Sequence, residues 1–154
     1  MVVAGDGTTL WQPCYVDDVA RAFVHVLERK TSLGQAYNAV GDEVMEWSDY
    51  LIRLGEAVGC APRLVYLTSA QILAATPPEK TQGLREILSI HNAFSNSTLK
   101  RDVPEFMNLV QFEEGIRRTV AWMDATGTHA DEEPPPWLSL LLQKAEGFLQ
   151  ELSS

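Results

Sequence analysis

The sequence predicts an α/β protein in which amphipathic helices cover a small mixed sheet. Two observations support this prediction. Short runs rich in β-branched and aromatic residues alternate with segments whose apolar residues recur every three or four positions. Turn signals separate these segments, and the predicted element order is β–β–α–β–α–β–α–α–α. That order contains too few strands for a complete doubly wound sheet.

The N-terminal segment predicts a β-hairpin. Val2-Val3 and residues 8–11 flank Gly5-Asp6-Gly7, where glycine reaches positive φ without a steric clash. Extended structure is expected to continue through residues 12–16, with a bend at Pro13. Cys14 lies in this stretch, and we expect it to be packed as a small apolar side chain.

An amphipathic helix is predicted next, because residues 19, 22, 23, 26 and 27 place apolar side chains on one face. Asp17 and Asp18 precede that face. Neighbouring side chains on a helix point about 100° apart, so we expect these carboxylates to cap and charge the first turn rather than share a proton. Residues 35–40 then predict a strand.

The remaining elements follow from turn and capping signals. A second helix is predicted from Trp47 to a C-terminal Gly59, followed by a strand over 62–67. Thr68-Ser69 is expected to cap a short helix that ends before Pro77. Further helices are predicted over 83–89, 96–102 and 111–125.

Three units are predicted along the chain. Residues 1–127 form one domain, residues 128–136 form an acidic and proline-rich linker, and residues 137–154 form an amphipathic C-terminal helix. The apolar stripe of this helix indicates docking, either on its own domain or on another subunit. It lacks the basic polar face of membrane-surface helices.

Composition and charge exclude several classes of protein. The chain has 154 residues, of which 45% are hydrophobic, and no apolar run approaches the roughly 18 residues of a membrane span. The formal net charge of −9 argues against nucleic acid as a partner. Cys14 and Cys60 form no CxxC pair, so no metal site is predicted. With no signal peptide recognisable at the N-terminus, these features predict a cytoplasmic protein.

Five segments form an ordered pattern over about residues 3–126: GDGTTLW (5–11), YVDDVARAF (15–23), GQAYNAVGDEVMEW (34–47), NSTLKRDVPEF (96–106) and FEEGIRRTVAWM (112–123). In order and spacing, this pattern resembles the C-terminal, substrate-binding half of the extended short-chain dehydrogenase/reductases, the NAD-dependent epimerase/dehydratase family.

Family members place a nucleotide-binding half first, with a GxxGxxG turn at the cofactor pyrophosphate and a Tyr-x-x-x-Lys pair for proton transfer. Neither motif occurs in this sequence. The resemblance therefore implies a substrate lobe without its Rossmann half, with no catalytic residue and no cofactor bound by this chain alone. An intact relative would use NAD(P) and a small-molecule substrate.

Four residues are candidates for substrate binding through this resemblance. Trp11 and Gln12 lie where sugar-nucleotide epimerases carry an Arg near the diphosphate, so Trp11 argues against a nucleotide sugar here. Arg85 falls in the loop that supplies a second phosphate-contacting Arg, and His91 lies nearby. Three of them have a structural alternative: core packing for Trp11, a solvated surface position for Arg85, and an ordinary loop histidine for His91.

Two functions remain open from the sequence. The first is a substrate-binding lobe that is inactive alone and works with a cofactor-binding partner chain. The second is a stand-alone interaction module, in which a homo-oligomer or another partner covers apolar surface. A complete small enzyme is disfavoured because no nucleophile–base pair stands out.

Overall fold

Four short strands form two separate two-stranded sheets in the computed structural model, which describes residues 1–83, 90–128 and 135–151. In the first sheet, β1 and β4 run parallel with Val2 opposite Val65. In the second, β2 and β3 run antiparallel with Leu10 opposite Glu46. The strands are β1 (Val2–Ala4), β2 (Leu10–Trp11), β3 (Met45–Glu46) and β4 (Val65–Leu67). Mixed α/β structure is confirmed, whereas the single mixed sheet is replaced by these two pairs.

The predicted N-terminal hairpin is wrong. The chain does turn at Gly5 and Gly7, whose φ angles are 67° and 78°. Asp6 Oδ1 stabilises this turn by accepting hydrogen bonds from the N–H of Thr8 at 3.1 Å and its hydroxyl at 2.7 Å. The flanking strands nevertheless pair with distant strands. Val3 is fully buried, and a short apolar strand gains most from a buried parallel partner, so tertiary packing outweighs the local turn signal.

Six helices are described, and most lie where the sequence predicts them. Thr68 caps α3 with a capping box: its Oγ1 accepts the Gln71 N–H at 3.2 Å, while the Gln71 side chain accepts the Thr68 N–H at 2.9 Å. Gly59 and Gly127, both at positive φ, follow α2 and α5. The helices are α1 (Val16–Leu27), α2 (Trp47–Ala57), α3 (Ser69–Ala75), α4 (Ser97–Asp102), α5 (Phe112–Thr126) and α6 (Pro136–Glu151).

Two local predictions need correction, and two others lie partly outside the described residues. Helix α1 begins at Val16 without a side-chain cap, so Asp17 and Asp18 lie inside its first turn and do not cap it. Residues 35–40 are described without a strand; side chains hold them instead, since the Tyr37 hydroxyl donates to Asp102 Oδ2 at 3.0 Å. Residues 84–89 of the predicted helix 83–89 lie outside the described residues, as do residues 129–134 of the predicted linker.

Two apolar clusters form the core. The first joins β4, α3 and α6 through Val65, Leu67, Ile72, Leu141 and Ala145. The second joins α1 to α4 and the residues after it, through Ala22, Leu99, Val103 and Phe106. Helix α6 therefore packs against β4 and α3 of its own chain. None of the described helices is long and apolar enough to cross a membrane.

Candidate functional site

A cavity of about 360 Å³ lies between the segment leading into α1, the turn at residues 41–43, helix α2 and helix α5. Most of its wall comes from α5 and the residues just before it. The amphipathic pattern of that helix turns its apolar side inward, toward α2. The apolar lining includes Leu54, Val110, Phe112, Ile116, Val120 and Met123.

Two glycines let the walls of the cavity approach one another. Gly115 is buried in α5, and a Cβ at this position would lie 2.9 Å from Cδ2 of Tyr15, which is closer than carbon atoms pack. A Cβ at Gly41 would likewise clash with the backbone carbonyl oxygen of Pro13. Segment 13–15 can therefore lie directly against α5 and the turn at Gly41.

One end of the cavity is polar. Asp42 accepts hydrogen bonds from Asn96 Nδ2 at 2.9 Å and from Lys100 Nζ at 2.5 Å. These two bonds, the Asn96 bond being the larger contribution, lower the pKa of Asp42 to about 2. A weaker hydrogen bond from the Asn108 side chain lowers that pKa further, although this pair lies outside normal hydrogen-bond geometry. Asp42 is therefore ionised at neutral pH.

Cys14 and Asn108 complete this polar end. The Cys14 thiol donates a hydrogen bond to Asn108 Oδ1 with an S···O distance of 3.5 Å. Burial raises the pKa of the Cys14 thiol, and the negative charges of Asp18 and Asp42 raise it further. At neutral pH the sulfur therefore stays protonated and acts as a hydrogen-bond donor rather than as a nucleophile.

Arg53 holds three elements of the cavity wall together from outside the lining. Its Nη1 binds Glu43 Oε1 at 2.5 Å, its Nε binds Glu113 Oε1 at 2.6 Å, and its guanidinium lies 5.1 Å from the centre of the Phe112 ring. The Glu113 and Glu43 hydrogen bonds raise the pKa of Arg53 above its ordinary value, and Arg53 lowers the pKa of Glu113. One side chain thus joins the turn at 41–43 to α2 and α5.

Three of the four sequence-predicted substrate residues lie together near β2, beside this cavity but outside its lining. Trp11 packs edge-on against Trp47, with ring centroids 5.3 Å apart. Gln12 donates to the Gly41 carbonyl at 2.6 Å and accepts the Phe94 N–H at 2.7 Å. His91 Nδ1 accepts the Leu10 N–H at 3.1 Å.

Through these hydrogen bonds, residues 91–94 are held against β2 and the residue after it. Gln12 and His91 therefore lie next to Trp11. None of these three residues is in the lining of the cavity. Arg85 lies outside the described residues. A role in substrate binding remains a prediction for all four.

Sequence reasoning missed the residues that build the polar end of the cavity. Asp42 follows Gly41 in the connection between the predicted strand at 35–40 and the helix that begins at Trp47, and a charged residue beside a glycine in such a connection is a signal for a site. Asn108 lies between predicted helices with no motif around it. Among residues 1–83, 90–128 and 135–151, no group of three or more His, Cys, Asp or Glu side chains is arranged to hold a metal ion.

Comparison with known proteins finds relatives that share part of their length with this chain. No protein-family profile matches. A curated relative is the sterol-4-alpha-carboxylate 3-dehydrogenase erg26, decarboxylating, of Schizosaccharomyces pombe, which is 27% identical over 142 residues. The match covers 81% of this chain and 42% of the relative, so the chain spans less than half of that protein's length.

Solved structures show the same partial likeness. The UDP-glucuronic acid 4-epimerase from Bacillus cereus, in complex with UDP-glucuronic acid and NAD, superposes with a TM-score of 0.60 at 18% identity. That match covers 81% of this chain and 35% of the epimerase. The dTDP-glucose 4,6-dehydratase from Bacillus anthracis, in complex with NAD, gives a TM-score of 0.58 at 19% identity, covering 82% of this chain and 35% of the dehydratase.

The fold is therefore that of a fragment of a short-chain dehydrogenase/reductase. More specifically, the chain is a relative of the extended short-chain dehydrogenase/reductases, the NAD-dependent epimerase/dehydratase family, and it corresponds to about a third of the length of the solved structures that it matches. The resemblance to this family is confirmed, whereas the assignment to its C-terminal half stays a prediction.

Proposed function

We propose that the chain is the substrate-binding lobe of an NAD(P)-dependent epimerase, dehydratase or reductase and works with a cofactor-binding half of the family type. The observation that carries this proposal is the ordered set of family motifs over residues 3–126, on a fold that aligns with only a third of the intact enzymes. The chain lacks GxxGxxG and Tyr-x-x-x-Lys, so we assign no step of hydride or proton transfer to its side chains.

The surroundings of Trp11 favour a substrate with a large apolar body. Trp11 replaces the Arg that sugar-nucleotide enzymes of the family place near a diphosphate, and it joins an aromatic group with Trp47 and Tyr50. A net charge of −9 is also unfavourable for a diphosphate. The curated relative is named for a sterol carboxylate. These observations support a sterol-like or similarly apolar alcohol or ketone.

Calorimetry tests the first part of this proposal. The chain is titrated with NAD and NADP, and no binding is expected in the micromolar range because the pyrophosphate turn is missing. Micromolar binding of either nucleotide would contradict the lobe assignment.

Tryptophan fluorescence tests the substrate class. A steroid ketone should quench the emission, whereas UDP-glucuronic acid should leave it unchanged. Trp11→Phe should lose most of the response, while Trp122→Phe should keep it, because Trp122 is 59% exposed on α5 and is not part of the aromatic group. A response to the nucleotide sugar alone would contradict the apolar substrate.

A second function is supported by an unpaired apolar face on α1. Val16, Phe23 and Leu27 are 67%, 65% and 84% exposed. Their spacing of seven and four positions puts them on one side of the helix. A face of this kind favours a non-catalytic interaction module, with a second copy or a cofactor-binding chain seated on α1.

Light scattering with and without NAD distinguishes the modes of association. Three results together would support a homo-oligomer. The chain is an oligomer with and without NAD, Phe23→Glu dissociates it, and Trp122→Glu does not. A monomer at all concentrations would exclude self-association through α1. A separate cofactor-binding chain would then be the remaining partner for this face.

A further inference from the structure

We propose that the cavity between α2 and α5 is a binding site for a neutral small molecule with an apolar body and one hydrogen-bond-accepting oxygen, which Asn108 recognises. Trp11, Gln12 and His91 are not in the lining of the cavity, although Tyr50 lines it and contacts the Trp11 ring. The described lining belongs entirely to this chain, so the inference does not depend on the proposed function.

The size and lining of the cavity suit a small organic molecule. Its volume of about 360 Å³ falls at the lower end of the range of roughly 300–1,000 Å³ found for such sites. Leu54, Ile116, Val120 and Met123 provide apolar contacts along two facing helices. A ligand with one or two rings would transfer apolar surface out of water here, which supplies most of the driving force.

The side-chain amide of Asn108 carries two N–H bonds, and the nearby Asp42 carboxylate can take up only one of them. Its Nδ2 is buried and forms no hydrogen bond of normal geometry with the described residues. Its Oδ1 is occupied by the Cys14 thiol, which holds the amide in this orientation. An amide nitrogen carries two N–H bonds, and leaving a buried donor unpaired is unfavourable. A ligand oxygen placed beside Nδ2 would remove that cost.

The charges around the cavity select for a neutral ligand. Asp42 and Glu43 both line it and would repel an anion. A cation gains little, because Asp42 is already paired with Lys100 and Glu43 with Arg53. A ketone or a hydroxyl group on a hydrocarbon frame satisfies Asn108 without adding charge.

Two-dimensional NMR of the full chain tests the proposal with three probes of matched shape. These are α-tetralone, which is neutral with one accepting oxygen; tetralin, which has none; and α-naphthoate, which is an anion. We expect α-tetralone to shift the backbone amides of Gly41 and Gly115 and the side-chain amide of Asn108. Tetralin should bind about tenfold more weakly, the difference that one hydrogen bond makes, and α-naphthoate should not shift these signals.

Three variants locate the site. Asn108→Leu should reduce the affinity for α-tetralone to that for tetralin. Val120→Trp should fill the cavity and abolish the binding of both α-tetralone and tetralin. Trp122→Ala, on the exposed side of the same helix, should change neither. If Val120→Trp fails to fold, the smaller Val120→Phe replaces it.

Several results would overturn the proposal. These are an absence of shifts with α-tetralone near its solubility limit, shifts that persist in the filled variant, or equal binding of tetralin and α-tetralone by the unmodified chain. Tight binding of α-naphthoate would overturn the argument from charge.

Discussion

Asp18 accepts the backbone N–H of Val110 at 3.2 Å, although the two residues are 92 positions apart in the chain. The Asp18 side chain is 1% exposed, and its other oxygen pairs with Arg21 one turn along α1. Val110 lines the cavity just before α5 begins. A carboxylate in the first turn of α1 therefore fixes the position of a cavity wall.

Replacing Asp18 should destabilise the fold far more than replacing its neighbour. Asp18→Ala leaves the Val110 N–H without its acceptor and Arg21 without its partner, so we expect a loss of about 2–3 kcal/mol in the free energy of unfolding. Asp17→Ala removes an exposed first-turn charge and should cost less than about 1 kcal/mol. Urea denaturation measures both, and equal losses would contradict the buried role of Asp18.

The docking of α6 can be tested with two adjacent leucines. Leu141 is 3% exposed in the cluster with β4 and α3, whereas Leu140 is 46% exposed. Leu141→Ala should lower the free energy of unfolding by about 2–3 kcal/mol, because it leaves a space in the core. Leu140→Ala should change it by less than about 0.5 kcal/mol. If both variants unfold like the unmodified chain, α6 does not pack where the structure places it.

Arg53 should resist replacement by lysine. A lysine ammonium can approach one carboxylate, but it cannot match the two-sided geometry with Glu43 and Glu113 or the contact with Phe112. Since these groups are partly exposed, we expect a loss of only about 1 kcal/mol. Arg117→Lys provides the control, because Arg117 is 58% exposed and pairs only with Glu114 in the described contacts. Thermal and urea unfolding of both variants provide the measurement.

The success of the sequence predictions depends on how local each signal is. The Thr68 cap and the helix-ending Gly59 act within one helical turn, and the sequence predicts both. The partner of β1 and the structure of residues 35–40 depend on contacts far along the chain, so local turn and strand signals failed there. Asn108 reaches the cavity only because Asp18 and Arg53 position the elements around it, and no sequence pattern marks that.

Protonation of Asp42 should lower the free energy of unfolding as the pH falls from about 4 toward 2. The Asp42 pKa of about 2 in the folded chain lies below the ordinary aspartate value of 3.8. The stabilisation of the fold by ionised Asp42 is therefore complete above about pH 4. It is lost as the pH falls toward 2, because protonation then favours the unfolded chain. Asp42→Asn should flatten this part of the urea-midpoint profile. Asp17→Asn should leave it unchanged, and an unaltered slope in Asp42→Asn would contradict the ion-pair geometry.

The two cysteines should differ in their reactivity toward alkylating reagents. Cys60 is exposed, whereas Cys14 is half-buried, and burial together with Asp18 and Asp42 raises the pKa of its thiol. Since the thiolate is the reacting form, Cys14 should be alkylated by iodoacetamide at least about tenfold more slowly than Cys60 near pH 8. The single-cysteine variants Cys60→Ser and Cys14→Ser allow each rate to be measured by mass spectrometry.

The pH dependence separates burial from charge in this prediction. If the carboxylates contribute, replacing Asp42 by Asn in the Cys60→Ser background should move the midpoint of the Cys14 rate profile to lower pH, because one repelling charge is removed. If only burial matters, the midpoint should stay in place. Alkylation of Cys14 at the rate of Cys60 would contradict both contributions, since it would mean that the thiol faces solvent and no longer donates to Asn108.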